Sequence, residues 1–388
     1  MRRGTCGALP CPNLMTTRVA DLFRSFGMHQ YPCVLAAVLG LAFTLPQQAR
    51  AAESVKDKHF ASLPIIDMHA YFIGYLAPGE FRKAAANAVS LMDRFNIVRS
   101  IVQPPPQIDA QLRYDFTRLQ RATAPYGNRF IILGGGAWLN AMLHRHADPG
   151  SVSAAVRASF RRQANSIIDA GAKGFGEISG LHISARERHP YEFVPADHPL
   201  LRLLADIAAL RDVPVDLHMD ALDKPSPPPG RFSRGNNPAV LPETINGLVR
   251  LLEHNRRARI VWAHGGSDPL GGMSAARINA LMDAHRNLFV SLRIVGGRAP
   301  MFNKLLANRV VVPEWLTLLK RHASRFVIGT DTFHAGSLRK GRGPGYIFAS
   351  RNERKLRATR HLLSLLPLPL ARKVAYENAI RIYRLAPL

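Results

Sequence analysis

The chain predicts an α/β fold, a closed (β/α)8 barrel of the TIM-barrel architecture. Three observations lead there. From residue 63 onward, short apolar β-branched runs alternate with amphipathic helical stretches. The alternation completes eight units before the chain ends. And His69, Glu177, His218, His264 and Asp331 all fall at or just past the carboxyl end of such a run. Strands alternating with helices pair in parallel and are covered on both faces, so they read as near-continuous apolar runs. The carboxyl rim of a closed barrel is where active sites are built. An open doubly wound sheet is the alternative, but it has no reason to stop at eight units.

The first strand is "LPIIDMHA" (63–70), extended by "YF", and period two places Asp67, His69 and Tyr71 on one face. The helical "FRKAAANAVSLMDRFN" leads to the second strand, "RSIVQPP" (99–105), and then to the third, "RFIILGGGA" (129–137). The glycines after that third strand bring backbone amides to a ligand or make a tight turn. They are not a phosphate-binding fingerprint, because no Lys-Ser/Thr follows. "RRQANSIIDAG" precedes strand four, "AKGFGEIS" (172–179), and "LLRLLADIAALRD" precedes strand five, "PVDLHMD" (214–220). "ETINGLVRLLEHNRRA" leads to strand six, "RIVWAHGG" (259–266), and "AARINALMDAHRN" to strand seven, "NLFVSLRI" (287–294). Strand eight is "RFVIGTDTF" (325–333), and the chain closes on the helix "ARKVAYENAIRIYRL". Two long loops, 223–238 and 334–355, follow strands five and eight and belong on the rim as lids.

The first 51 residues read as an export signal rather than fold. Arg2, Arg3, Arg18 and Arg24 precede the apolar run 34–45, and Ala49-Arg50-Ala51 has the small-x-small form of a cleavage site. That run is too short to span a bilayer as a helix, and no later stretch is long and uncharged enough to do so. Residues 52–388 are then one barrel domain. Cys6, Cys11 and Cys33 all precede the cut, so the mature chain has no disulfide framework and no thiolate ligand. Cleavage removes five arginines and Asp21, and the formal net charge falls from +25 to +21. Such a surplus favours acidic partners. The basic residues are scattered, with little aromatic interleaving, so nucleic acid is not expected. The expected partner is a small-molecule substrate, possibly carboxylated, and a homo-oligomer stays open.

These motifs resemble the amidohydrolase superfamily, and more closely its amidohydrolase-related branch of hydrolases and decarboxylases. The resemblance runs from "IIDMHAYF" to the last helix, where Asn378-Ala379 is similar to the branch's closing signature. "VWAHGG" and "FVIGTDTF" are its most specific matches, and "GFGEIS" is less so. It implies a divalent metal ion, with zinc the first choice, held by His69, Glu177, His218 and Asp331. It also implies Asp331 as general base and acid, and His264 orienting the water or polarising the carbonyl. The family's first strand carries His-x-His, and this chain departs from it with Tyr71 in the second position. A neutral phenol is a poor ligand, because its pKa of about 10 keeps it protonated at neutral pH. Tyr71 is therefore expected to face the cavity and donate to water or substrate without firm ligation. Arg293, which shares the parity of Ser291, is expected to hold a substrate carboxylate in bidentate fashion. His182, after strand four, is a further candidate for substrate contact, and His334 after strand eight a weaker one.

The activity implied is hydrolysis of an ester, lactone or amide bond by metal-activated water, in an exported protein, periplasmic or secreted. Two other readings stay open: a non-oxidative decarboxylase or hydratase, and a barrel-fold binding protein whose metal site is degraded at Tyr71. Export has a direct check. Amino-terminal sequencing of the secreted protein should begin near Ala52 or Glu53, and recovery of the full-length chain in the cytoplasm would refute the leader assignment.

Overall fold

A computed structural model of the chain describes residues 62–73, 80–106, 108, 116–187, 189–295, 301–336 and 349–388. The proposed leader lies outside the described residues, as does 337–348 of the loop after strand eight. Among the described residues, no helix is long and apolar enough to cross a membrane.

Eight parallel strands form the barrel: β1 (Ile65–Ile73), β2 (Ile97–Val102), β3 (Phe130–Ile132 continued by Gly134–Gly135), β4 (Phe175–Ser179), β5 (Pro214–His218), β6 (Arg259–Gly265), β7 (Leu288–Leu292) and β8 (Phe326–Ile328). Every one lies within or across the stretch that the sequence predicts. The sheet closes because β3 is broken at Leu133. Its first half pairs with β2 (Ser100 opposite Phe130) and its second half with β4 (Gly134 opposite Phe175). The other seam joins β8 to β1 through Asp67 opposite Ile328, and a continuation, Thr332–Ala335, runs on beside β1. The amides of Gly134 and Gly136 are spent on the carbonyls of Gly174 and Gly176, at 3.1 and 3.3 Å. The glycine run is thus a seam of the barrel, not a ligand cradle.

Helices cover the outside. The helix Pro199–Leu210 shows why: Leu200, Leu203, Leu204 and Ile207 recur at helical spacing and are all buried. Burying each such side chain is worth about 1.5–3 kcal/mol. Ser153 and Ser274 cap the helices Ala154–Asp169 and Ala275–Ala284, each Oγ accepting a backbone amide at 3.2 Å. A second cluster fills the barrel interior with Ile66, Met68, Ile101, Leu133, Val261, Phe289 and Val327, closed by Ile382 and Tyr383 of the terminal segment. Asn378, the asparagine of the closing signature, donates from Nδ2 to the carbonyls of Ala323 and Phe326, both at 2.8 Å. It therefore fixes the entry to β8.

Two expectations need correcting. Asp67 does not share a face with His69 and Tyr71. The β1–β2 register slips between Asp67 and Ala70, a bulge that sends Met68 into the interior cluster and turns His69 and Tyr71 into the mouth above it. Asp67 instead accepts the Thr330 amide at 2.8 Å and the Thr330 hydroxyl at 2.5 Å, pinning the β1–β8 seam. The stretch 334–355 is not all loop either. A helix begins at Ala349 and continues to Leu365, with Asn352, Leu356, Thr359 and Leu363 buried along one face.

Candidate active site

The side chains that β1 delivers are already joined to each other. Tyr71 places its hydroxyl 2.5 Å from His69 Nε2 and donates it to Glu177 Oε2. The ring is buried and stacks on Phe333 at 4.6 Å between centroids. Burial, and then the negative charge of Glu177, push its pKa well above that of a free phenol. Tyr71 is therefore a neutral donor in this site.

Glu177 is the hub. Its Oε1 lies 2.8 Å from His218 Nδ1 and 3.5 Å from both His69 Nε2 and His264 Nε2. Burial alone would raise its pKa, but the charges of His69 and His218 hold it well below the usual carboxylate range. The histidines divide in response. His69 is raised well above the usual imidazole value: desolvation opposes this, but Asp216 at 3.4 Å and Glu177 overcome it. His218 is likewise opposed by burial yet pushed up to about 10 by Glu177 and Asp220. His264, 3.1 Å from His218, goes the other way and falls to about 3 under burial. It stays neutral, and its Nδ1 is buried with no hydrogen-bond partner.

Asp331 stands beside His69 and His264 and is held by cations. Arg293 Nη2 lies 2.8 Å and Lys355 Nζ 3.2 Å from its Oδ2. Desolvation pushes its pKa up, but Arg293 and Lys355 outweigh that and leave it well below the ordinary aspartate value. His264 and Asp331 both adopt left-handed backbone, at φ 73° and 53°. That conformation is uncommon for residues other than glycine. The neighbouring glycines serve packing rather than ligand approach. A Cβ at Gly265 would collide with Val290, and one at Gly266 with Leu305.

The residues named from the sequence therefore converge, in a grouping that differs from the expected one. His69, His264 and Asp331 form one set of potential ligand atoms, and Glu177, His218 and His264 a second. His69, Glu177 and Asp216 form a third, each set lying within 4.8 Å. His264 belongs to two sets, so it is placed as a ligand at least as well as a water-orienting group. Arg293 reaches the site through Asp331. His182 stands behind His218, ring to ring at 4.4 Å, with burial holding its pKa at about 4. His334 packs on Phe72 at 6.2 Å instead of joining the cluster.

Three site residues escape the sequence reading. Asp216 shares the parity of His218 within "PVDLHMD", and that spacing could have revealed it. Gln103, directly after β2, sets its amide nitrogen 3.0 Å from His69 Nδ1. Lys355 left no signal as long as its segment read as loop.

The donor set suits a divalent ion. Imidazole nitrogen and carboxylate oxygen are the usual partners of zinc, and of neighbouring transition ions. Asp216 Oδ1 and His264 Nδ1 are buried without a hydrogen-bond partner, although such groups are nearly always paired. The carboxylates also draw positive charge onto His69 and His218, and a cation can supply that charge in place of protons.

Among solved structures, the chain is similar to a 2,6-dihydroxybenzoate decarboxylase from Rhizobium, at 16% identity over 83% of this chain and 99% of that one, with a TM-score of 0.46. It is also similar to a dihydroxybenzoic acid decarboxylase from a Polaromonas species with bound manganese and 2-nitroresorcinol, at 13% identity over 84% and 98%, TM-score 0.48. A putative amidohydrolase from Staphylococcus aureus matches at 12% identity over 83% and 99%, TM-score 0.43. No family model matches the chain, and no curated protein matches it.

A metal that takes His69 and His218 must displace their protons. Binding zinc to the metal-free protein at pH 7 should therefore release about two protons per ion and weaken as the pH falls. Calorimetry in buffers of different ionisation enthalpy reads the number directly. Binding without proton release would contradict these assignments.

Proposed function

We propose that this chain is an exported metal-dependent hydrolase that cleaves an ester, lactone or amide bond. The supporting observation is the convergence of His69, His218, His264, Glu177 and Asp331 at the carboxyl mouth of a closed barrel. His69, His218, Asp331 and Glu177 would hold the ion, with His264 as a further ligand. A bound zinc ion supplies one thing, lowering the pKa of water from about 15.7 towards about 7.

The rest falls to the chain's own side chains. Arg293 and Lys355 keep Asp331 ionised, so a carboxylate oxygen stands ready to accept the proton of the attacking water and return it to the leaving group. His264, neutral at working pH, offers its unpartnered Nδ1 to orient the water or the scissile carbonyl. Tyr71 keeps Glu177 and His69 in place through its hydroxyl.

A non-oxidative decarboxylase using the same ligands is the second reading. The two cations beside Asp331 favour it, since that reaction needs an acid as substrate. Metal content separates either enzyme from a non-catalytic binding protein. Purified protein should carry about one ion per chain or more. His218→Ala and Asp331→Ala should each remove the ion or lower turnover on an ester and lactone panel by more than the 10–100-fold, roughly, that a supporting residue costs. Both should leave the circular dichroism of the barrel intact. Full metal and full turnover in both variants would refute the site.

A further inference from the structure

We propose that the amino end of the barrel carries a second binding site, one that takes an organic phosphate: a phosphomonoester on a compact apolar body. This site does not depend on the hydrolase reading. It is a cleft of about 420 Å³. Arg99 of β2, Phe130 and Ile132 of β3, and Lys173 just ahead of β4 line it, with Arg384 from the segment after the terminal helix. These residues stand where strands enter the sheet, whereas His264 and Asp331 stand where strands leave it. The interior cluster that Ile382 and Tyr383 close lies between the two ends.

The cleft follows from the break in β3. Phe130–Ile132 pair with β2. Towards β4, the Lys173 amide donates to the Ile132 carbonyl at 3.0 Å, and among the described residues no backbone bond joins the two sides nearer the amino end. The sheet parts there, with Phe116, Phe130 and Ile132 as an apolar wall. A cleft of this volume falls within the range of about 300–1,000 Å³ typical of small-molecule sites. Its lip is open, since a Cβ at Gly127 would meet nothing within 4 Å.

Three cations and no carboxylate line the cleft. Arg99 donates to the backbone carbonyls of Ala386 and Pro387, the second at 2.9 Å, and these neutral acceptors leave its charge unbalanced. The Lys173 side chain has neither an ion pair nor a hydrogen bond among the described residues. Arg384 pairs with Asp212 at 2.9 Å, but Arg259 claims the same carboxylate. Two unmatched positive charges call for a dianion. A phosphomonoester carries about −1.5 to −2 at neutral pH and offers three acceptor oxygens, whereas a carboxylate carries a single charge. Lys173 is exposed, so charge alone holds an anion weakly. The apolar wall supplies the rest, which selects an organic phosphate over inorganic phosphate.

The test is calorimetric titration of the metal-free full-length protein with phenyl phosphate, inorganic phosphate and benzoate. Phenyl phosphate should bind at least about tenfold more tightly than either of the others. Lys173→Met should weaken it by about fivefold, and Lys173→Arg should match the parent. Ala124→Trp, which fills the cleft from its wall, should abolish binding. All three should retain the parent circular dichroism. Arg293→Gln, at the opposite end of the barrel, should bind as the parent does. No binding of phenyl phosphate, equal or tighter binding of inorganic phosphate or benzoate, or binding that survives both Lys173→Met and Ala124→Trp would overturn the site. So would loss of binding in Arg293→Gln, which would put the phosphate at the barrel mouth instead. Zinc binding judges the hydrolase reading by itself, because the substitutions at the amino end leave His69, His218 and Asp331 in place.

Discussion

The Tyr71 hydroxyl, set between His69 Nε2 and Glu177 Oε2, is the interaction on which the site depends. It joins the first strand to the fourth across the mouth of the barrel. Glu177 in turn fixes His218 at 2.8 Å and faces His264, so one phenol orders a network that reaches four strands. A buried carboxylate with several partners is stable only while those partners remain, and removing one leaves the charge exposed to a low dielectric. Tyr71 thus helps to build the pocket by holding Glu177 and His69 together.

The scaffold holds this arrangement by pinning the strand that carries Tyr71. Asp67 ties β1 to β8 through the Thr330 amide and hydroxyl, and Asn378 ties the terminal helix to the start of β8. Hydrogen bonds to a charged group are worth about 1.5–3 kcal/mol each and neutral ones about 0.5–1.5. These few contacts therefore weigh heavily at the seam where the barrel closes. They also set where Asp331 and its cations stand relative to His69, because Thr330 and Asp331 are neighbours in the chain.

The sequence made the barrel legible because a strand covered on both faces must be apolar throughout, and "RIVWAHGG" or "NLFVSLRI" can hardly be anything else. It made the rim legible for the same reason: His218, His264 and Asp331 interrupt apolar runs where they end. What it hid depends on geometry that a linear pattern does not carry. Counting by twos through "IIDMHAYF" misses the bulge after Asp67 and so misassigns that aspartate. The basic, glycine-rich character of 334–355 concealed the helix that begins at Ala349, and Lys355 with it. His264 belongs to two of the three potential ligand sets, a grouping that the linear pattern does not order.

On the proposed metal-dependent reading, Tyr71 is a neutral strut that would leave an ion to the remaining residues, held less tightly than a second histidine would hold it. Zinc titration of the metal-free protein, parent against Tyr71→His, tests this most directly. The histidine variant should bind at least about tenfold more tightly, since it places an imidazole ligand where a protonated phenol now stands. A parent that already binds zinc as tightly as the variant would contradict it.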